Sequence, residues 1–104
     1  MTGELTGTQR RYLRALGQRL GVTLQVGHDG VSDAVVQQAD AQLEARELIK
    51  VRVGEQAPED RHATAATLAR RTRAHLAQVI GRTALLYRPR RDDPTIVLPV
   101  GQRG

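Results

Sequence analysis

The chain has 104 residues, room for one domain with a modest core and too few for two. Hydrophobic residues make up 39% and charged residues 26%, a globular balance rather than a disordered one. There is no cysteine, which excludes disulfides, thiolate metal sites and thiol chemistry.

Sixteen Lys+Arg against eleven Asp+Glu leave a net charge of +5, which draws a small body to polyanions whatever its fold. All the cations but Lys50 are arginine, a bias that genome base composition explains as readily as guanidinium chemistry, so charge alone does not decide the partner. No apolar run approaches the roughly 20 residues needed to cross a bilayer, and the opening "MTGELTGTQR" has no apolar signal core. The expectation is a cytoplasmic protein with no membrane contact.

Residues 6 to 20 have helical spacing: Leu13, Leu16 and Leu20 form one stripe, with Tyr12 on its flank and Arg10, Arg11 and Arg14 gathered opposite. Thr6 or Thr8 can cap the start, and Gly21 suits the end. "VTLQV" (Val22 to Val26) reads as a strand that stops at Gly27. After "GHDG", Ser32 is a natural N-cap and Asp33 favours the positive end of a helix whose stripe is Val31, Val35, Ala39 and Leu43, with Val36 beside it, to about Ala45.

In "ELIKVRV", Ile49, Val51 and Val53 face one way and Lys50 and Arg52 the other, with Leu48 out of step. "GEQAPED" is a loop that places Pro58 in the first turn of a helix running to about Arg73, with Ala65, Leu68, Ala69 and Thr72 as its inner stripe. "LAQVI" and "TALLYR" form a hairpin over Gly81 and Arg82, ended by Pro89. The tail reads as coil with a possible edge strand at "TIVL". The order is α-β-α-β-α-β-β: a single α/β domain over residues 1–90 and a tail over 91–104.

Enzymatic chemistry finds no footing. His28, His62 and His75 lack metal-ligand spacing, no nucleophile elbow is present, and the loop glycines match neither a P-loop nor a dinucleotide fingerprint. No catalytic residue, metal or cofactor is expected.

The stretch "QVGHDGVSD" points elsewhere. Two glycines around a polar pair let main chain pass close to a sugar-phosphate strand, and the helix start behind them offers free N–H groups. KH domains clamp single-stranded nucleotides on such a GxxG loop. The bland alternative is a plain strand-to-helix turn, for which Asp-Gly is favoured. With no Phe, no Trp and two Tyr, an aromatic stacking platform is excluded, so binding must rest on backbone and shape. The basic clusters Arg10, Arg11 and Arg14, then Lys50 and Arg52, then Arg82 and Arg88, are each ordinary singly and make a cationic surface if they converge.

The motif order resembles the CRM domain (chloroplast RNA splicing and ribosome maturation), in particular its stand-alone bacterial YhbY-like members. The resemblance rests on "QRRYLRALGQRL", "VTLQVGHDGVSDAVV", "LEARELIKVRV" and "AQVIGRTALLYRP", from Leu5 to Pro89, with "PTIVLP" similar to the family's C-terminal end. It implies a KH-like fold with a four-stranded mixed sheet, similar to the C-terminal domain of translation initiation factor 3. It also implies RNA binding, with large-subunit ribosomal RNA and pre-ribosomal particles as partners. By position, Gly27, His28, Asp29 and Gly30 take the GxxG loop, Arg10, Arg11 and Arg14 the basic first helix, and Lys50 and Arg82 two matching motifs.

The family usually has Lys where this chain has His28, and Gly where it has Arg73. A left-handed cap at Arg73 is expected to cost roughly 1 kcal/mol. The resulting expectation is a monomeric, non-catalytic RNA-binding protein that assists ribosome assembly, in which a bulky residue at Gly30 weakens binding and spares the fold. The rivals are a protein-interaction module docking on ribosomal proteins or assembly factors, and nonspecific DNA binding.

Overall fold

A computed structural model describes residues 4–100 of the chain. Its elements run α1 (Gly7–Gly17), β1 (Val22–Val26), α2 (Asp33–Arg46), β2 (Leu48–Val53), α3 (Arg61–Thr72), β3 (His75–Ile80) and β4 (Thr83–Tyr87). The strands form one sheet in the order β1-β2-β4-β3, with β1 and β2 parallel and the other two pairs antiparallel. This is the α/β order that the sequence predicts and the four-stranded mixed sheet that the resemblance implies. The parallel pair is joined through α2, as a parallel connection requires, and the last two strands close as a hairpin.

Helices cover both faces. On one face Leu24, Val26, Ile49, Val51 and Leu86 pack with Ala39 and Leu43 of α2 and Leu68 and Ala69 of α3. On the other, Leu48, Ala77, Leu85 and Tyr87 pack with Leu13 of α1, flanked by Leu5, Leu16 and Leu20. The second cluster explains Leu48, which breaks the alternation of β2 because α1 lies over that end of the strand. Leu13 is fully buried there, and its truncation to Ala is expected to cost about 2–5 kcal/mol.

Several boundaries differ from the sequence reading, each for a local reason. Helix α1 ends at Gly17, before Leu20 and Gly21, and its start is a capping box in which Thr6 and Gln9 satisfy each other's backbone N–H groups. Pro58 lies in the loop and not in a helical first turn, because Asp60 caps α3 by accepting the Ala63 N–H at 2.8 Å. Arg73 adopts the left-handed conformation (φ 60°, ψ 34°), as anticipated at the end of α3. Residues 95–98 form no strand.

The tail is held by Glu47, which the sequence reading takes only as the first residue of the "ELIKVRV" strand. Glu47, between α2 and β2, has φ 69° and is fully buried. Its Oε1 accepts from the Thr95 N–H, the Thr95 hydroxyl and the Ile96 N–H, and its Oε2 accepts from the Arg90 N–H, at 2.7–2.8 Å. Burial alone would raise the carboxyl pKa, but these donors together favour the anion and hold it at about 2. The anchored tail then lays Ile96 and Leu98 against the α1 cluster, and Gln9 Nε2 donates to the Pro99 carbonyl at 3.1 Å. Residues 101–104 at its end lie outside the described residues.

Candidate nucleic-acid interface

Sheet register decides which of the predicted residues meet. Because β1 and β2 are parallel, their C-terminal ends share one edge of the sheet, with Val26 opposite Val53 and Gln25 opposite Arg52. β4 runs antiparallel to β2, so its first residue, Thr83, stands beside Arg52, and Thr83 in turn pairs with Ile80 of β3. Two bonds close this end: Val53 N–H to the Arg82 carbonyl at 2.7 Å, and Gly54 N–H to the Val26 carbonyl at 2.9 Å. The 27–30 loop, Arg52 and the Arg82 hairpin are thereby gathered at one end of the molecule.

The loop is a tight turn, with the Gly30 N–H donating to the Gly27 carbonyl at 2.9 Å. Among the described residues the N–H groups of His28 and Asp29 have no acceptor, and both residues are exposed, so the tip leaves two main-chain donors unpaired. The His28 and Asp29 side chains meet at 3.2 Å, and both are 79% exposed. Behind the turn, the Ser32 hydroxyl accepts from Val35 N–H at 3.2 Å and starts α2.

The two glycines differ in kind. Gly27 is exposed, and an added Cβ would meet nothing within 4 Å. Gly30 is buried with φ +67°, and an added Cβ would stand 3.1 Å from Pro58 Cγ. A large side chain at Gly30 would strain the turn and collide with the β2–α3 loop, which overturns the expectation that the fold tolerates one. Gly27 is the position open to a ligand.

Lys50 and Arg52 lie on the α1 face of the sheet, two residues and hence about 7 Å apart along β2. Helix α1 covers the Leu48 end of that face and leaves the Arg52 end open. Arg14 of α1 lines the same depression as Lys50. Lys50, Arg52, Arg82 and Arg14 form no ion pair among the described residues, so their charge faces outward uncompensated. Arg11 is exposed beside Arg14, whereas Arg10 is docked on β3, donating from Nη1 to the Leu76 carbonyl at 2.6 Å. Arg10 also adds to burial in lowering the His75 pKa, which keeps that imidazole neutral against Tyr87.

Arg88 lies apart from this group. It follows Tyr87 at the far end of β4, where Nη1 reaches Asp40 Oδ1 at 2.6 Å and the Thr72 carbonyl at 2.8 Å, and Nη2 lies 3.5 Å from Glu44. With its side chain only 18% exposed, it ties α2, α3 and β4 together. It borders a separate cleft with Arg71, Arg73, Arg90 and Arg91, where Asp40, Glu44 and Asp92 offset much of the charge. Among the described residues no cluster of His, Asp and Glu could hold a metal ion, and no helix is long and apolar enough to cross a membrane.

Sequence reasoning also passes over Gln18, Gln78 and Thr83, which line the depression between α1 and the sheet. Gln78 joins them only through a shift in β3 register that periodicity does not reveal.

Comparison with known proteins places the chain in a family. The chain is 42% identical over 95 residues to the "Probable RNA-binding protein YqeI" of Bacillus subtilis, covering 91% of this chain and 99% of that one. A "Probable RNA-binding protein" of Pseudomonas aeruginosa is 33% identical over 84 residues, 81% of each chain. The solution structure of a hypothetical protein from Staphylococcus aureus superposes with a TM-score of 0.78 at 41% identity, covering 91% of this chain and 99% of that one. The pattern of the CRS1 / YhbY (CRM) domain matches residues 5–88. The chain belongs to the CRS1 / YhbY (CRM) domain family.

Proposed function

We propose that the protein is a non-catalytic RNA-binding protein that meets the ribose-phosphate strand with the open sheet end around Gly27–Asp29, and that it acts as a monomer in the cytoplasm. The observation that carries this reading is the convergence of a main-chain turn with unpaired N–H groups and two unpaired cations, Arg52 and Arg82, on one end of one sheet, with the unpaired Lys50 two residues back along β2 on the same face as Arg52. Each phosphate neutralised there releases condensed counterions, and the loop N–H groups supply hydrogen bonds that a duplex-reading helix would not need. The curated relatives, named as RNA-binding proteins, support the same partner class.

The RNA we propose is ribosomal RNA in precursors of the large subunit, which the chain helps to assemble. The resemblance of the "ELIKV" and "VIGRTALLYR" motifs to stand-alone bacterial CRM proteins supports this. Arg14 and Arg11 extend the surface along α1, and Arg10 sets its edge at β3.

The test is binding of large-subunit ribosomal RNA fragments by fluorescence anisotropy across salt concentrations, with duplex DNA as competitor, alongside sedimentation of the protein with ribosomal precursors. The reading predicts salt-dependent RNA binding that duplex DNA displaces poorly, and co-sedimentation with large-subunit precursors. Salt-insensitive association with a ribosomal protein and no affinity for free RNA would replace it with the protein-docking alternative.

A further inference from the structure

Between α1 and the uncovered half of the sheet lies a depression of about 200 Å³, lined at its rim by Arg14, Gln18, Lys50, Gln78, Ile80 and Thr83 and floored by Leu85 and Gly17. We propose that this depression is a base-reading subsite that receives one unstacked nucleobase from the RNA strand; the inference rests on the RNA-binding function proposed above.

The first observation is how β3 is built. Its pairing with β4 shifts register between Leu76 and Gln78, so that Leu76 stands opposite Leu86 and Gln78 opposite Leu85. Leu76 packs into the α2/α3 core, while Leu85 belongs to the α1 cluster. Ala77 is the additional residue, and beyond it the strand's alternation is re-phased. Without the bulge, Gln78 and Ile80 would point to the α2/α3 face. With it, both line the depression.

The second observation is chemical. The side chains of Arg14, Gln18, Lys50, Gln78 and Thr83 make no hydrogen bond or ion pair among the described residues, and no carboxylate lines the site. Two carboxamides offer donors and acceptors together. A phosphate wants donors only, and the glutamine carbonyls would face its oxygens unfavourably. A base edge carries both kinds of group, and side-chain amides pair with such edges in a bidentate way.

The apolar floor completes the match. Leu85 is buried and Ile80 is 63% exposed, so an aliphatic surface stands ready for the face of a ring. Arg14 can lay its guanidinium plane over the other face, an interaction that replaces the missing aromatic side chains. The volume is below the roughly 300–1,000 Å³ of pockets for larger ligands, which fits one base and excludes a stack. Position agrees as well: Lys50 lines the depression, and Arg52, two residues on, stands at the GHDG end, so a strand crossing that end brings its next nucleotides over the site.

The experiment compares a mixed-sequence single-stranded RNA of about ten nucleotides with the same ribose-phosphate chain lacking every base, by fluorescence anisotropy. The wild-type protein is expected to bind the intact RNA at least about tenfold more tightly, within the range of a good bidentate base pairing. The Q18A/Q78A double variant, checked for folding by circular dichroism, is expected to lose most of that preference while binding the abasic chain like wild type. Equal wild-type affinity for the two chains would overturn the base subsite and leave RNA binding by the phosphate surface standing, and this comparison needs no variant. Full preference retained by the double variant would also overturn it. Binding of neither chain by the wild-type protein would remove the RNA reading, and this subsite with it.

Discussion

Pro58 Cγ lies 3.1 Å from where a Cβ on Gly30 would stand, so the second glycine of the loop is a packed turn residue and not an opening. The two glycines therefore separate in experiment. Gly27→Leu is expected to keep the wild-type melting temperature and weaken RNA binding several-fold, because its side chain would stand where the strand approaches. Gly30→Ala is expected to lower stability by about 1–2 kcal/mol through its positive φ. Thermal unfolding and anisotropy on both variants check this, and wild-type affinity in a folded Gly27→Leu would remove the loop from the interface.

Replacing Lys50, Arg52 and Arg82 together by Ala is expected to reduce the slope of log affinity against log salt by roughly 2–3, at about 0.7–0.9 for each phosphate no longer neutralised. These cations have no carboxylate partner among the described residues, so their removal leaves no charge unpaired. An unchanged slope in the folded triple variant would move the binding surface elsewhere on the molecule.

Arg88 provides the contrast. Its guanidinium bridges Asp40, Glu44 and the Thr72 carbonyl, so Arg88→Ala is expected to cost about 1–3 kcal/mol of stability and to leave the salt slope unchanged. Urea unfolding measures the first effect and salt titration the second. A reduced slope with stability intact would make Arg88 part of the RNA-binding surface.

Glu47 predicts acid sensitivity. Its folded pKa of about 2 lies below the ordinary 4.5, so its contribution is complete above about pH 4.5 and is lost as pH falls through about 2. At 1.36 kcal/mol per pH unit, the full contribution is up to about 3 kcal/mol. Glu47→Gln is expected to be less stable at pH 7 and to show a flatter decline between pH 5 and pH 2, both read by urea unfolding. Identical pH profiles for variant and parent would contradict the latch.

Most local signals in the sequence are obeyed by the fold, with Pro58 and the end of α1 as exceptions. "VTLQV" is a strand over its predicted residues, Ser32 caps α2, and the Val31, Val35, Ala39, Leu43 stripe faces the core. What escaped the sequence depends on distant partners. Glu47 reads as the first residue of the "ELIKVRV" strand because its donors, on Arg90, Thr95 and Ile96, are distant in sequence. Within a tail that reads mostly as coil, "TIVL" offers an edge strand because its β-branched residues suit one, yet those donors and the α1 cluster hold it as irregular chain. Lys50, Arg52 and Arg82 were legible as site candidates, whereas Arg88 looked the same in sequence and differs only because α2 brings Asp40 and Glu44 beside it. Gln78 was invisible because a single extra residue in β3 decides which face it joins.

One end of the sheet is the proposed landing place of the RNA strand. Titration of the isotope-labelled protein with a large-subunit ribosomal RNA fragment, followed by amide NMR shifts, tests it residue by residue. The largest changes are predicted at residues 27–29, 50–52 and 81–83. Changes confined to the cleft around Arg88, Arg90 and Arg91 at the Tyr87 end of β4, with the GHDG turn undisturbed, would contradict it.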